Sequence, residues 1–234
     1  MTEQKIVLKI GGSILFNENL NINFQILEKV KQWYWNILPS VEKIAIVVGG
    51  GYLSREIQSK MGGEIKEEQA LHNIAMQVTQ TNAALVQGYI NDVNSYLPKK
   101  LGDAYEFLKD PKGKTLISGG LKVGWSTDMD AAVFANILDV NRIIKLSNID
   151  YVYDSDPDTN PNALPIKDLT WKEYFKLAGI SDGDGHIVNK SMPIDASCSQ
   201  FCEKKNISFY ICGGKNLLEK NSIEEILSTG TLIH

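Results

Sequence analysis

Apolar and polar positions along this chain follow two rhythms that take turns. Lys5–Ile10 is a short β-rich run ended by Gly11-Gly12. After Asn21–Asn23, apolar residues return at helical spacing through Phe24, Leu27, Val30, Tyr34, Ile37 and Leu38, until Pro39 stops them. Ile44–Val48 is continuously apolar, as expected of a parallel strand buried on both faces, and Gly49-Gly50-Gly51 closes it. Tyr52–Lys60 reads as a helix. Glu67–Asn91 reads as a long one, with Leu71, Ile74, Val78, Leu85 and Tyr89 on one side. Thr115–Ile117 is a strand before Gly119-Gly120, Asp128–Leu138 an Ala-rich helix and Arg142–Leu146 a strand. A polar, Pro-rich loop over Asn148–Pro165 surrounds Tyr151-Val152-Tyr153. A helix over Thr170–Leu177 with Thr170 as N-cap follows, then a Gly/Asp loop over Gly179–Asn189 and a helix over Pro193–Lys205. A strand over Ile207–Cys212, a helix over Ile223–Leu227 and a strand over Thr231–Ile233 end the chain. Strands alternating with helices throughout predict an α/β fold, a mainly parallel sheet between helical layers. With no low-complexity linker and no repeat, 1–234 is expected to be one domain, at most two-lobed.

The composition narrows the chemistry. Of 234 residues, 43% are hydrophobic and 22% charged, ordinary globular usage. The longest unbroken apolar runs, Ile44–Val48 and Ala131–Ala135, fall far short of the roughly 20 residues that cross a bilayer. No secretory signal is visible at the start. A net charge of −4 argues against a nucleic-acid module. Three cysteines, Cys198, Cys202 and Cys212, read as reduced thiols in a cytoplasm. Cys198 and Cys202 could face each other across a helical turn, but no second pair or His cluster completes a zinc set.

Three strands end in glycine, and in an open α/β sheet ligands bind beyond the carboxyl ends of the strands. Glycine there lets main-chain amides approach an anion, and a following helix adds partial positive charge. Neither G-x-x-x-x-G-K-[ST] nor a helix-opening G-x-G-x-x-G is present, so phosphate must be held by another scheme. Lys9, inside an otherwise apolar strand, is either an exposed strand end or an ammonium aimed at phosphates.

Taken in order, Lys9-Ile10-Gly11-Gly12-Ser13, Val47-Val48-Gly49-Gly50-Gly51, Ser126-Thr127-Asp128 and Ser147–Pro157, with its Asp156-Pro157 block, resemble the amino acid kinase superfamily over nearly the whole chain. Within it the resemblance is to prokaryotic uridylate (UMP) kinases, and Glu18–Phe24 and Arg55 point to the archaeal subgroup. The resemblance implies a three-layer αβα sandwich, the amino acid kinase fold. It also implies transfer of the γ-phosphoryl of ATP to UMP, with Mg²⁺ carried on ATP. The acceptor would lie over a lobe of about 1–125 and ATP over a lobe of about 126–234, in a homohexamer built as a trimer of dimers. Lys9 and Asp128 would be catalytic. ATP would be held by Lys9, Gly11, Gly12, Ser13, Gly51, Arg55, Ser147, Asn148, Tyr153 and Asp156. UMP would be held by Gly50, His72, Gly120, Leu121, Gly124, Trp125, Ser126 and Thr127.

Several side chains keep two readings at this point. Arg55 could contact phosphate with its forked guanidinium or be a solvated helix residue. Asp128 could cap the helix that follows it, or orient a lysine or a hydrated Mg²⁺. Trp125 could stack on a pyrimidine or close its loop as a core aromatic. The resemblance leads one to expect an Asp where His72 stands, with Glu67 and Glu68 nearby, and an Arg where Gln80 stands, both on the acceptor side. An acceptor other than UMP, a small acid or another phosphomonoester, is therefore the second enzyme reading. A non-catalytic nucleotide- or oxoanion-binding protein on the same fold is the third.

Overall fold

The computed structural model describes residues 4–157, 159–181, 193–216 and 223–234. Most of the glycine- and aspartate-rich loop expected over 179–189 lies outside them.

The chain opens with β1 (Gln4–Ile10), a short helix α1 (Gly12–Leu15) and α2 (Phe24–Ile37), whose N-cap Asn23 accepts from the Ile26 amide. A 3₁₀ turn at Leu38–Ser40 carries Pro39 and leads into β2 (Val41–Val48). Helices α3 (Gly51–Met61), α4 (Glu68–Ile90) and α5 (Leu101–Lys109) precede β3 (Thr115–Ser118). The second half runs α6 (Thr127–Leu138), β4 (Arg142–Ser147), β5 (Val152–Tyr153), β6 (Pro165–Ile166), β7 (Asp168–Leu169) and α7 (Trp171–Ala178). It ends with α8 (Ala196–Lys205), β8 (Ser208–Gly213), α9 (Ile223–Ile226) and β9 (Thr231–Ile233).

Seven strands form one sheet in the order β3-β2-β1-β4-β8-β9-β7. Every neighbouring pair is parallel except β8 and β9. β5 and β6 form a separate antiparallel hairpin. The chain builds outward from β1 to β2 and β3, then returns to lay β4 on the other flank of β1. The strand order therefore reverses between β1 and β4, and the carboxyl ends of those two strands open onto a crevice there.

Strand alternation sorts side chains between two cores. Ile6, Leu8 and Ile10 of β1 and Ile144 and Leu146 of β4 pack with Leu27 and Tyr34 of α2 and Val86 of α4. Val7 and Ile143 face the other way, onto Phe134 of α6 and Phe209 of β8. The two-residue period then puts Lys9 and Lys145 on this second face, at the ends of their strands.

Several elements depart from the expected outline. α8 begins at Ala196 rather than Pro193, because Asp195 is its N-cap and accepts from the Cys198 amide. α5 and the two-residue strands β6 and β7 were not expected, although in α5 Leu101, Ala104 and Leu108 stand at helical spacing and face the second core. On α4 the deeply buried residues are Val78, Thr79, Asn82, Ala83, Val86 and Ile90, whereas Leu71, Ile74, Leu85 and Tyr89 are only half-buried. Two of the buried positions are polar because they meet main-chain carbonyl and amide groups rather than apolar side chains.

Candidate active site

The first two glycine turns touch each other. A Cβ on Gly12 would overlap the main chain of Gly49–Gly51, and one on Gly51 would overlap the main chain of Gly12. Gly51 also stands at φ +63°, which disfavours any side chain there. The turns are stitched into the sheet. The Gly11 amide donates to Leu146 O at 2.8 Å and the Gly49 amide to Ile10 O at 2.9 Å. Gly11 therefore keeps its amide inside the protein. Gly12 and Ser13 open α1, and Gly51 and Tyr52 open α3, so their amides have no partner within their helices. The third turn lies against α4. A Cβ on Gly119 would overlap the main chain of Thr79 and Gln80. The Gly120 amide donates to Thr79 Oγ1 at 2.7 Å, and Gln80 Nε2 donates to Gly120 O at 2.8 Å. Asn82 Nδ2 donates to Gly49 O at 2.8 Å and Gly50 O at 3.1 Å. One face of α4 thus braces both the second and third turns.

Three buried charges meet where these turns converge. Lys9 and Lys145 are register partners on β1 and β4. Asp128, in the first turn of α6, lies 3.2 Å from Lys9 Nζ and 2.6 Å from Lys145 Nζ. Lys145 Nζ also donates to Pro193 O. All three are under 10% exposed. Burial pulls the Lys9 ammonium down to about 8, against the attraction of Asp128. Burial alone would raise Asp128, but the Lys145 and Lys9 ammoniums together hold its carboxyl below the usual range. Two cations share one anion, leaving positive charge beside the second turn, where a Cβ on Gly49 would stand 3.4 Å from Lys9 Nζ.

The helix cap is Ser126, whose Oγ accepts from the Met129 amide at 3.1 Å and donates to Asp195. Asp128 is not the cap. Both of its oxygens face ammonium groups, which is the lysine-orienting alternative. Thr127 is the first residue of α6. Arg55 reaches back to the first turn, donating to Ser13 Oγ at 3.0 Å with its guanidinium 4.7 Å from the Tyr52 ring centre. It is anchored on the glycine turns rather than free on a helix face. Trp125 packs on the second core, and Lys122 Nζ lies 4.2 Å from the centre of its ring. Leu121 is buried, and Gly124 turns the loop at φ +84°. His72 lies on α4 beside Glu68, 3.5 Å away, one turn before Met76.

A cleft of about 430 Å³ lies between the two halves, lined from the first by Ser13, Asn17 and Tyr52 and from the second by Ser147, Asn148 and Lys215, among others. It brings Ser13, Ser147 and Asn148 together. Tyr153 and Asp156 are not among its lining residues. They sit at the β5–β6 hairpin, where Asp156 O accepts from the Asn160 amide at 2.8 Å. Sequence reasoning missed Lys145, Thr79, Asn82 and Lys215. Lys145 carried the same signal as Lys9, a lysine flanked by apolar strand residues.

The sequence profile of the Amino acid kinase family matches residues 4–213. A uridylate kinase from Thermococcus kodakarensis is 27% identical over 98% of this chain and 99% of its own length. One from Pyrococcus abyssi is 29% identical over 92% of each chain. Among solved structures, uridylate kinase from Archaeoglobus fulgidus superposes with a TM-score of 0.77 at 22% identity, covering 99% of this chain and 100% of that one. UMP kinase from Ureaplasma parvum superposes with a TM-score of 0.75 at 22% identity, covering 100% and 99%. With a mainly parallel sheet between helices in place and the family profile spanning nearly the whole chain, this protein belongs to the amino acid kinase family.

Proposed function

We propose that the protein is a UMP kinase. An oxygen of the UMP phosphate attacks the γ-phosphorus of ATP, a new P–O bond forms, and the bond to the β,γ-bridging oxygen breaks, giving UDP and ADP. The carrying observation is the Lys9–Asp128–Lys145 group at the meeting point of the first two turns. Phosphoryl transfer asks a protein for alignment and charge neutralisation, not for a nucleophilic side chain. Lys9 neutralises charge on the transferring group, and Asp128 orients both ammoniums. Gly12, Ser13, Gly51 and Arg55 hold donor phosphates, and Gly50 and Thr127 hold the acceptor phosphate.

ATP enters the cleft between the two halves and lies towards the second, with Ser147 and Asn148 from the cleft and Tyr153 and Asp156 from the neighbouring hairpin on its nucleoside. Mg²⁺ enters on the ATP as part of the substrate. UMP lies over the first half against His72, Gly120, Leu121, Gly124, Trp125 and Ser126. The exposed apolar residues on α2, Phe24 and Trp35, are consistent with a homo-oligomer, which we take to be a hexamer. Among the described residues no helix is long and apolar enough to cross a membrane.

Gln80, which ties down Gly120 where the resemblance leads one to expect an arginine, favours one second reading: the same transfer to a different small acid. A coupled assay of ADP release against UMP, CMP, dCMP and a panel of small acids separates the two. Turnover is expected with UMP. Turnover with another acceptor and none with UMP would reject the assignment.

A further inference from the structure

Asp130 has no part in the transfer chemistry described above. It sits two residues after Asp128 in α6 and is fully buried, and among the described residues no side chain and no opposite charge pairs with its carboxyl, which faces the Leu121 main chain. Those oxygens lie under the third glycine turn, where a Cβ on Gly120 would stand 3.7 Å from Asp130 Oδ2. A bare carboxylate in such a place is strongly disfavoured, and a buried acid without a counter-charge holds its proton instead. Burial pushes this carboxyl up to about 8, and the Leu121 main chain draws it back only in part.

The charged groups on the surrounding elements are engaged elsewhere. Lys9 of β1 and Lys145 of β4 face Asp128. Lys43 of β2 donates to the carbonyls of Leu108 and Asp110 at the end of α5. Asp103 of α5 lies 3.7 Å from Lys100. Asp195, the cap of α8, takes Ser126 and the Cys198 amide. His72 of α4 lies beside Glu68.

Among the described residues the hydrogen bonds on Gly120 come from Thr79 and Gln80 of α4, whereas Asp130 stands on α6. We propose that Asp130 is a positioning residue for the acceptor: as an uncharged carboxyl it props Gly120–Leu121 from below, and loss of its proton frees the 119–125 loop and weakens acceptor binding. The proposal deepens the UMP kinase reading and rests on it for the identity of the acceptor.

The test combines kinetics with two readouts that need no turnover. With ATP saturating, the wild-type KM for UMP rises about tenfold from pH 7 to pH 9, as the uncharged fraction falls to about a tenth. In Asp130→Asn, neutral at every pH, KM stays flat over that range. Equal profiles in the two proteins would overturn the proposal. Infrared spectra of the wild type at pH 7 show a protonated-carboxyl band that fades towards pH 9. Its absence overturns the proposal whether or not the Asn variant folds and whether or not UMP is the substrate. If UMP is not turned over, the kinase assignment fails separately, and hydrogen exchange of amides 119–125 decides the loop. Exchange must accelerate with pH more in the wild type than in Asp130→Asn, and parallel behaviour refutes the prop.

Discussion

Lys9 keeps an ammonium where water does not reach it, and that gives it a readable titration. A lysine drawn down to about 8 is charged below that pH and neutral above it. Its contribution to phosphate binding is therefore present at neutral pH and lost on the alkaline side. We expect kcat/KM for ATP to fall as pH rises past about 8, since that ratio reports groups of the free enzyme. Lys9→Ala should keep the wild-type circular dichroism and slow transfer by at least roughly a hundredfold, the scale of one preorganised charge contact. Near-normal rates would remove Lys9 from the mechanism. Asp128→Asn should be worse for stability, because it strands two buried ammoniums. A cost of about 3–5 kcal/mol is expected in denaturant melts. Lys9 was legible because it interrupts Ile6, Val7, Leu8 and Ile10. Lys145 interrupts Ile143, Ile144 and Leu146 just as plainly. Its role depends on β1 and β4 being neighbours, and that pairing lies in the sheet order rather than in either strand.

Helix α4 works as a brace, and its sequence disguises the fact. The stripe of Leu71, Ile74, Leu85 and Tyr89 draws the eye, yet Thr79 and Asn82 sit deeper. They are buried because glycine turns, having no side chains, present carbonyls and amides to whatever packs on them. Polar side chains satisfy such a surface better than apolar ones. Asn82→Ala leaves the Gly49 and Gly50 carbonyls without their amide donor. We expect a loss of about 1–3 kcal/mol in stability and a raised KM for the acceptor, measured together. A drop in stability with no change in KM would confine Asn82 to a packing role. By contrast, Thr170→Ala should cost about 1 kcal/mol and leave kinetics alone, since it removes only the capping box of α7. That cap was legible at once, because the Thr and Glu173 that form it are local in sequence. α5 went unread although Leu101, Ala104 and Leu108 keep helical spacing, because it is only nine residues long and no side-chain cap marks its start.

The whole molecule is organised around one reversal of strand order, with β1 at the centre and the two halves of the chain flanking it. The alternation of strands and helices made this architecture legible, and the glycine clusters marked which ends of the strands face the site. The distance between those clusters was not legible, since it depends on three crossovers closing correctly. Gly51→Ala should therefore act globally. It forces a side chain into Gly12 and into an unfavourable φ, so both the melting temperature and the transfer rate should fall, and retention of either would show that the contact can relax. Where Gly12 and Gly51 meet, skeleton rests on skeleton with no room for substitution. Evolution can find little variation to work with at that seam. New clients for such a scaffold are more readily recruited at the rim, by rewriting the residues around the third turn, than at this seam.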